Sequence, residues 1–523
     1  MRRVRRLRWA RAAAILAAAK LLGCGGSGGG VVPADATVSV RVEAAAPAAR
    51  VSERFLSFSV DTAQALGGVF WDPAGSGEEV PVEVYDFGRT RLRRLTSELA
   101  PAMLRIGGTA ADYVLYDVSE APVAAPPAPF ELVMTRAIWD GIARFARDLD
   151  LEILFTLSAG PGARDAALAW TADNARTFVD HVVGRGDPVT VWELGNEING
   201  FPIAHFIRID GAQYARDMAV ARALVDEHAP GARLAGPSSA YWPPVGEAFP
   251  VMPEFLAAGG ELVDVVTWHF YPQQSKRCPI ATRRAGPTVM LEPDNLAAVD
   301  RWADRIEAQV RSDAPRAEVW LGETGNAQCG GEPGVSDRFV GSLWWLDELG
   351  RMARRGQPIV VRQTLSGSDY GLLDDATLEP NPDYWASLLW RRLVGTSILA
   401  AEVSGAPADA AAAPPVMTYA ACQRGVPGGV VVLAINLDLE RSVAVEVEGA
   451  ASAAAETYVA TAPDLYGKDV RLNGRELRAA ADGAPPPIAP SRARVRAGAP
   501  LVTLPPTSYA FVALPDAAAP GCG

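Results

Sequence analysis

Between residue 51 and about residue 396, short apolar runs rich in β-branched residues alternate with stretches whose apolar positions recur every three or four residues. The first pattern predicts buried strands and the second predicts amphipathic helices. The strand runs fall at residues 55–60, 102–106, 152–157, 189–194, 233–236, 264–269, 318–322 and 358–363. Helical periodicity lies between them, in stretches such as 90–99, 134–149, 171–183, 211–228, 294–312 and 337–355. Eight strand–helix alternations predict an α/β fold, a (β/α)8 TIM barrel over residues 51–396. Beyond it the helical pattern stops. Short runs at 416–419, 429–436, 443–448, 457–460, 470–472, 495–502 and 508–513 are separated by Gly, Pro, Asn and Asp. They predict a C-terminal all-β sandwich over residues 397–523. Residues 38–42 also alternate, so 36–50 is assigned as an N-terminal strand joining that sandwich.

A chain of 523 residues suits a large barrel plus a second module. The formal charge is −12, and seven basic residues with no acid lie in the first 23 positions, so the remainder is more acidic still. Such a body argues against nucleic-acid binding. It also argues against electrostatic capture of a densely sulfated polymer, unless a local basic patch does that work.

The N-terminal segment, residues 1–23, reads as a targeting signal: six arginines, an Ala/Leu/Ile-rich stretch, then Leu21-Leu22-Gly23-Cys24. It resembles a bacterial lipoprotein signal with lipid on Cys24, followed by a Gly/Ser tether over 24–35. The expectation is an exported outer-membrane or cell-surface lipoprotein, held to the membrane only by that lipid and otherwise monomeric. The alternative is an ordinary cleaved signal and a secreted or periplasmic protein. Cys278, Cys329, Cys422 and Cys522 remain, and an even number in an exported chain predicts two disulfides, with three pairings open.

Two barrel strands end in a glutamate within a polar setting: Val191-Trp192-Glu193-Leu194-Gly195-Asn196-Glu197-Ile198-Asn199 on the fourth, and Val319-Trp320-Leu321-Gly322-Glu323-Thr324 on the seventh. Barrel chemistry sits at the C-terminal ends of the strands. A pair of carboxyls facing one cleft is what glycosidic cleavage needs, one to protonate the leaving oxygen and one to attack or to activate water. A lone glutamate at a strand end is more often a salt-bridge partner; two in these settings are harder to explain that way. His181, His205, His228 and His269 show no metal-ligand spacing, and neither a phosphate-binding nor a dinucleotide motif is present, so no cofactor and no metal are expected.

The arrangement resembles glycoside hydrolase clan A and, within it, family 79, the heparanases and β-glucuronidases. Residues 54–61, 104–112, 192–199, 267–271, 319–324, Gly330-Gly331, 345–347, Arg362-Gln363, Tyr370, 382–385 and 393–396 carry the likeness in order. The resemblance implies a retaining hydrolase with Glu197 as acid/base and Glu323 as nucleophile, the charge of Glu323 raising the Glu197 pKa. It implies that Asn196 bonds the sugar 2-hydroxyl and that His269 and Tyr271 orient Glu323 or line the subsite. It implies that Gly330, Gly331 and Tyr370 meet a uronate carboxylate, while Asp61, Thr109 and Gln363 meet sugar hydroxyls.

The likeness also implies a Cys422–Cys522 disulfide. Cys329 departs from the family's glycine run and is expected to pair with Cys278, because both loops border the same cleft. Lys276, Arg277, Arg283 and Arg284 form a basic loop that either meets acidic groups of the substrate or is merely solvated. Trp71, in an insertion over 67–86, stacks on a sugar or packs its loop. The Ala/Pro-rich stretch 118–130 stands where animal heparanases carry a long excised linker, so an unprocessed active chain is expected. The implied partner is a glucuronic-acid-containing oligo- or polysaccharide, with endo and exo action both open. Alternatives are another clan-A glycosidase of xylosidase or arabinofuranosidase type, or a non-catalytic surface carbohydrate-binding lipoprotein.

Overall fold

The structure, a computed structural model, describes residues 34–72, 79–404, 415–496 and 499–523. Cys24, the predicted signal segment and nearly all of the predicted tether lie outside the described residues. Eight parallel strands close into a barrel: β1 (Leu56–Asp61), β2 (Ala102–Gly107), β3 (Leu151–Leu157), β4 (Val189–Leu194), β5 (Arg233–Tyr241), β6 (Val265–Phe270), β7 (Glu318–Thr324) and β8 (Val360–Arg362). Each coincides with one of the predicted runs. The strands read as continuous apolar stretches because side chains on both faces are buried, against the helices outside and against one another inside. Met103, Leu154, Val191, Ala235, Val265 and Trp320 form a dry plug inside the barrel toward the strand starts.

Two departures concern short elements. The predicted helix at 134–149 begins only at Arg136, capped by Thr135, whose hydroxyl accepts from Ile138 N at 3.4 Å. The residues before it form a strand, Leu132–Thr135, paired in parallel with Val114–Asp117 across the Ala/Pro-rich stretch. Four-residue strands carry too little periodicity to be read. Within the insertion after β1, Val69–Trp71 and Glu79–Pro81 pair as an antiparallel ribbon.

The C-terminal region is strand-rich. Its 11-residue strand Val394–Ser404 pairs with Ala36–Glu43 on one side and with Val416–Gln423 on the other, joining two leaves. Along Val430–Asn436 all seven residues are buried. Val430, Val432 and Ala434 face the core between the leaves, while Val431, Leu433 and Ile435 join the core shared with the barrel. Such alternation without a polar face shows that this leaf is covered on both sides. Tyr419 crosses the contact and donates to Asp347 Oδ1 at 2.5 Å, on the helix Phe339–Arg355. Cys422–Cys522 and Cys278–Cys329 are both bonded. No helix among the described residues is long and apolar enough to cross a membrane.

Candidate active site

The barrel interior changes character along its axis. Two residues beyond the dry plug, the same inward positions carry Arg105, Thr156, Glu193 and Thr267. A charge buried there is costly unless it is paired. Arg105, with its side chain wholly buried, donates from Nε to Glu193 Oε2 at 3.0 Å, from Nη1 to Glu323 Oε2 at 2.6 Å and from Nη2 to Asn196 Oδ1 at 2.8 Å. Thr156 Oγ1 donates to the same oxygen of Glu193 at 2.8 Å. Burial pushes the Glu193 carboxyl up, but the Arg105 charge together with the hydroxyl bonds of Ser238 and Thr156 holds the group below its usual range.

Past Leu194 the chain turns through Gly195 and Asn196. Asp112, wholly buried, shapes that turn: its Oδ2 accepts from Asn196 N at 3.1 Å and its Oδ1 from Ala159 N at 2.8 Å. Glu197 follows in the left-handed region, φ 50° and ψ 55°, a conformation costly for a non-glycine residue and concentrated at functional sites. Burial raises its carboxyl to about 7; Arg105 opposes the rise and Asp112 adds to it. The sequence pointed to the charge of Glu323 as the cause. Desolvation leads instead, and the like charge that contributes is Asp112.

Glu323 sits near the end of β7 with its side chain 8% exposed. Tyr271 donates its hydroxyl to Oε1 at 2.7 Å while Arg105 holds Oε2. His269 lies between the two glutamates, with Nδ1 3.0 Å from Glu197 Oε1 and 4.0 Å from Glu323 Oε2. It therefore partners Glu197 rather than Glu323. Burial lowers its ring to about 4, so the imidazole is neutral near pH 7. One donor atom from each of Glu197, His269 and Glu323 lies within 4.8 Å of the others. Spacing alone would admit a divalent cation. However, both oxygens of Glu323 already accept from Arg105 and Tyr271, and the guanidinium repels a second cation.

The remaining residues singled out in the sequence are arranged around this pair. Asp61 ends β1; its Oδ1 accepts from Ala63 N at 2.9 Å and its Oδ2 from Gln363 Nε2 at 3.1 Å. Burial raises the Asp61 carboxyl to about 7 against those bonds, and the negative charge of Glu323 adds to the rise. Tyr370 lies with its hydroxyl 3.5 Å from Gln363 Nε2 and clusters with Ala63, Phe70 and Tyr271. Trp71 is half-buried and packs against that cluster. Thr109 opens a short 3-10 turn after β2 and is exposed, with no hydrogen bond from its side chain to the others. Of the basic loop, Arg277 is buried, Arg283 donates to Asn295 Oδ1 at 2.7 Å, and Arg284 donates to Ser275 O at 2.9 Å. Lys276 and Arg284 are exposed and Arg283 is half-buried, whereas Arg277 is buried with its charge paired to Asp369.

No motif in the sequence singles out Arg105, Glu193 or Asp112. A signal was present: Arg105 and Glu193 are charges at inward positions of β2 and β4, and alternate strands contribute to one layer of a barrel interior.

Residues 79–350 match the family model described as Glycosyl hydrolase family 79, N-terminal domain. Heparanase of Mus musculus is 30% identical over 424 residues, covering 73% of this chain and 75% of its own. The chain belongs to glycoside hydrolase family 79. Other relatives of this family 79 hydrolase include heparanase-like protein 1 of Arabidopsis thaliana, 29% identical over 84% of this chain and 86% of its own. Baicalin-beta-D-glucuronidase of Scutellaria baicalensis is 26% identical over 82% and 84%. Among solved structures, a 4-O-alpha-L-rhamnosyl-beta-D-glucuronidase from Fusarium oxysporum superposes with a TM-score of 0.66 at 17% identity, over 91% of this chain and 99% of that one. An alpha-L-arabinofuranosidase from Thermotoga maritima gives 0.64 at 15%, over 91% and 99%. These two likenesses speak for the fold: barrel and strand-rich region recur together.

Proposed function

We propose that this family 79 hydrolase cleaves β-glucuronosyl linkages with retention of configuration, by double displacement between Glu197 and Glu323. The observation that carries the reading is the spacing of the pair. One carboxyl oxygen of each lies within 4.8 Å of the other's, which fits the ~5–5.5 Å carboxyl separation of retaining enzymes better than the ~6.5–9.5 Å of inverting ones. With its carboxyl raised to about 7, Glu197 holds a proton in neutral solution and gives it to the departing oxygen. Glu323, held by Arg105 and Tyr271, attacks the anomeric carbon as that bond breaks. Water then displaces Glu323 while Glu197 takes a proton from it. Arg105 occupies the carbonyl end of Asn196, which leaves its amide hydrogens for the sugar 2-hydroxyl.

Substrate class is supported by the relatives whose names specify heparanase and β-glucuronidase activity. Gly330, Gly331 and Tyr370 would meet the uronate carboxylate. Because the chain is strongly acidic and Arg277 of the β6 loop is buried in an ion pair, we favour an unsulfated or weakly sulfated glucuronide. Turnover should be compared on an aryl β-glucuronide, an aryl β-xyloside and a heparan oligosaccharide. Cleavage of the glucuronide but not the xyloside supports the proposal, and the reverse contradicts it; internal cuts in the oligosaccharide mark endo action. We also propose export with lipid on Cys24, a reading supported by the arginine-rich leader and the two disulfides. Replacing Cys24 by Ser should then move the protein from the membrane fraction to the soluble fraction.

A further inference from the structure

Arg277 follows β6, and its side chain is fully buried. Nη1 donates to Gly331 O at 2.9 Å and to Gly330 O at 3.3 Å, on the loop after β7. Nη2 donates to Asp369 Oδ2 at 2.6 Å, on the loop after β8, and to Asp72 O on the ribbon after β1. One guanidinium thus ties four loops. Asp369 precedes Tyr370 and Asp72 follows Trp71 in the chain. The next residue, Cys278, is bonded to Cys329, which precedes Gly330. The glycine pair has no slack: Gly330 and Gly331 take φ of 77° and 83°, a Cβ on the first would stand 2.5 Å from Trp71 Cβ, and one on the second 2.9 Å from Tyr370 N.

We propose that Arg277, together with the Cys278–Cys329 bond, is a positioning device for sugar-acid recognition. It sets the Gly330-Gly331 backbone and Tyr370 at the distance that a uronate carboxylate needs. The inference rests on the glucuronidase reading. Its physical basis is the planar fork of arginine, whose several fixed donors can hold backbone carbonyls and a carboxylate at once, which a lysine ammonium cannot do. A buried charge-assisted bond to Asp369 adds stiffness. Displacement of a recognising group by about 1 Å costs on the order of 100-fold in such sites.

The test uses wild type, Arg277→Lys and Arg277→Met. It measures kcat and KM on an aryl β-glucuronide, together with Ki for a lactone bearing the uronate-side carboxylate (glucaro-1,4-lactone) and for neutral glucono-1,5-lactone. Arg277→Met should raise KM and the acidic-lactone Ki by about 10- to 100-fold, and leave the neutral-lactone Ki within about 3-fold. Arg277→Lys should fold as wild type does yet recover little of the acidic-ligand affinity. The Cys278→Ser/Cys329→Ser variant should shift the same constants in the same direction, and it decides the matter if Arg277→Met fails to fold. Equal weakening of both lactones, or no change in either, would overturn the inference. A wild type that ignores glucuronides would overturn the glucuronidase reading instead.

Discussion

Replacing Arg105 by methionine removes the one positive charge that faces two buried carboxylates. In the native barrel Arg105 is wholly buried and lies 2.9 Å from Glu193 and 2.6 Å from Glu323. Methionine fills much of the volume but leaves both acids without a counter-charge. Breaking a buried pair from one side typically costs about 3–5 kcal/mol. The cost should depend on pH with a definite sign. In wild type the Glu193 carboxyl is held below its usual range, so its contribution is present above the unfolded pKa and is lost as pH falls through the folded one. In the variant the Arg105 charge is gone, and burial, the largest single influence, pushes the same carboxyl up against the hydroxyl bonds that remain; the native state then prefers it protonated and loses stability as pH rises. The stability gap between wild type and Arg105→Met should therefore widen from pH 5 to pH 8. Urea unfolding at both pH values measures it. Because Arg105 also holds Glu323 and Asn196, kcat/KM should fall by about 100- to 1,000-fold, the scale seen when a preorganised donor is removed. A gap of the same size at both pH values, with activity within about 3-fold of wild type, would mean that Arg105 does not hold these carboxylates.

With the Glu197 carboxyl at about 7, kcat/KM on a substrate with a poor leaving group should fall tenfold per pH unit above that value; Glu197→Gln should abolish this alkaline limb along with most of the activity, as a pH–rate profile will show. Glu348 is buried behind β7, 3.3 Å from Thr324 Oγ1, and burial with the neighbouring Asp347 raises its carboxyl to about 8. Its stabilising contribution is complete below the unfolded pKa and is lost as pH rises toward 8, so Glu348→Gln should gain stability relative to wild type by about 1 kcal/mol or more between pH 5 and pH 8 in paired thermal melts. Cys422 and Cys522 close a loop of 100 residues, so Cys422→Ser/Cys522→Ser should lower unfolding free energy by up to ~4.7 kcal/mol in urea titration under oxidising conditions.

The barrel was legible because its strands are buried on both faces and its helices on one, so two different periods alternate along the chain. Glu197 and Glu323 stand out because each lies at or just past a strand end in a polar context that packing alone does not call for. Arg105, Glu193 and Asp112 escaped because their partners lie 88, 218, 47 and 84 residues away, separations that no local pattern encodes. The role of Arg277 was hidden for a related reason. A cluster of four cations looks like a ligand surface in sequence, whereas the fold turns three of them onto carbonyl and carboxylate oxygens. The strand pair Val114–Asp117 and Leu132–Thr135 was lost to its own brevity.

Double displacement across the Glu197–Glu323 gap is read in the anomeric configuration of the first-formed sugar. Proton NMR during hydrolysis of an aryl β-glucuronide should show β-glucuronic acid appearing first, with the α-anomer growing only as mutarotation proceeds. Initial release of the α-anomer would mean inversion, and would contradict an account built on carboxyl oxygens within 4.8 Å of one another.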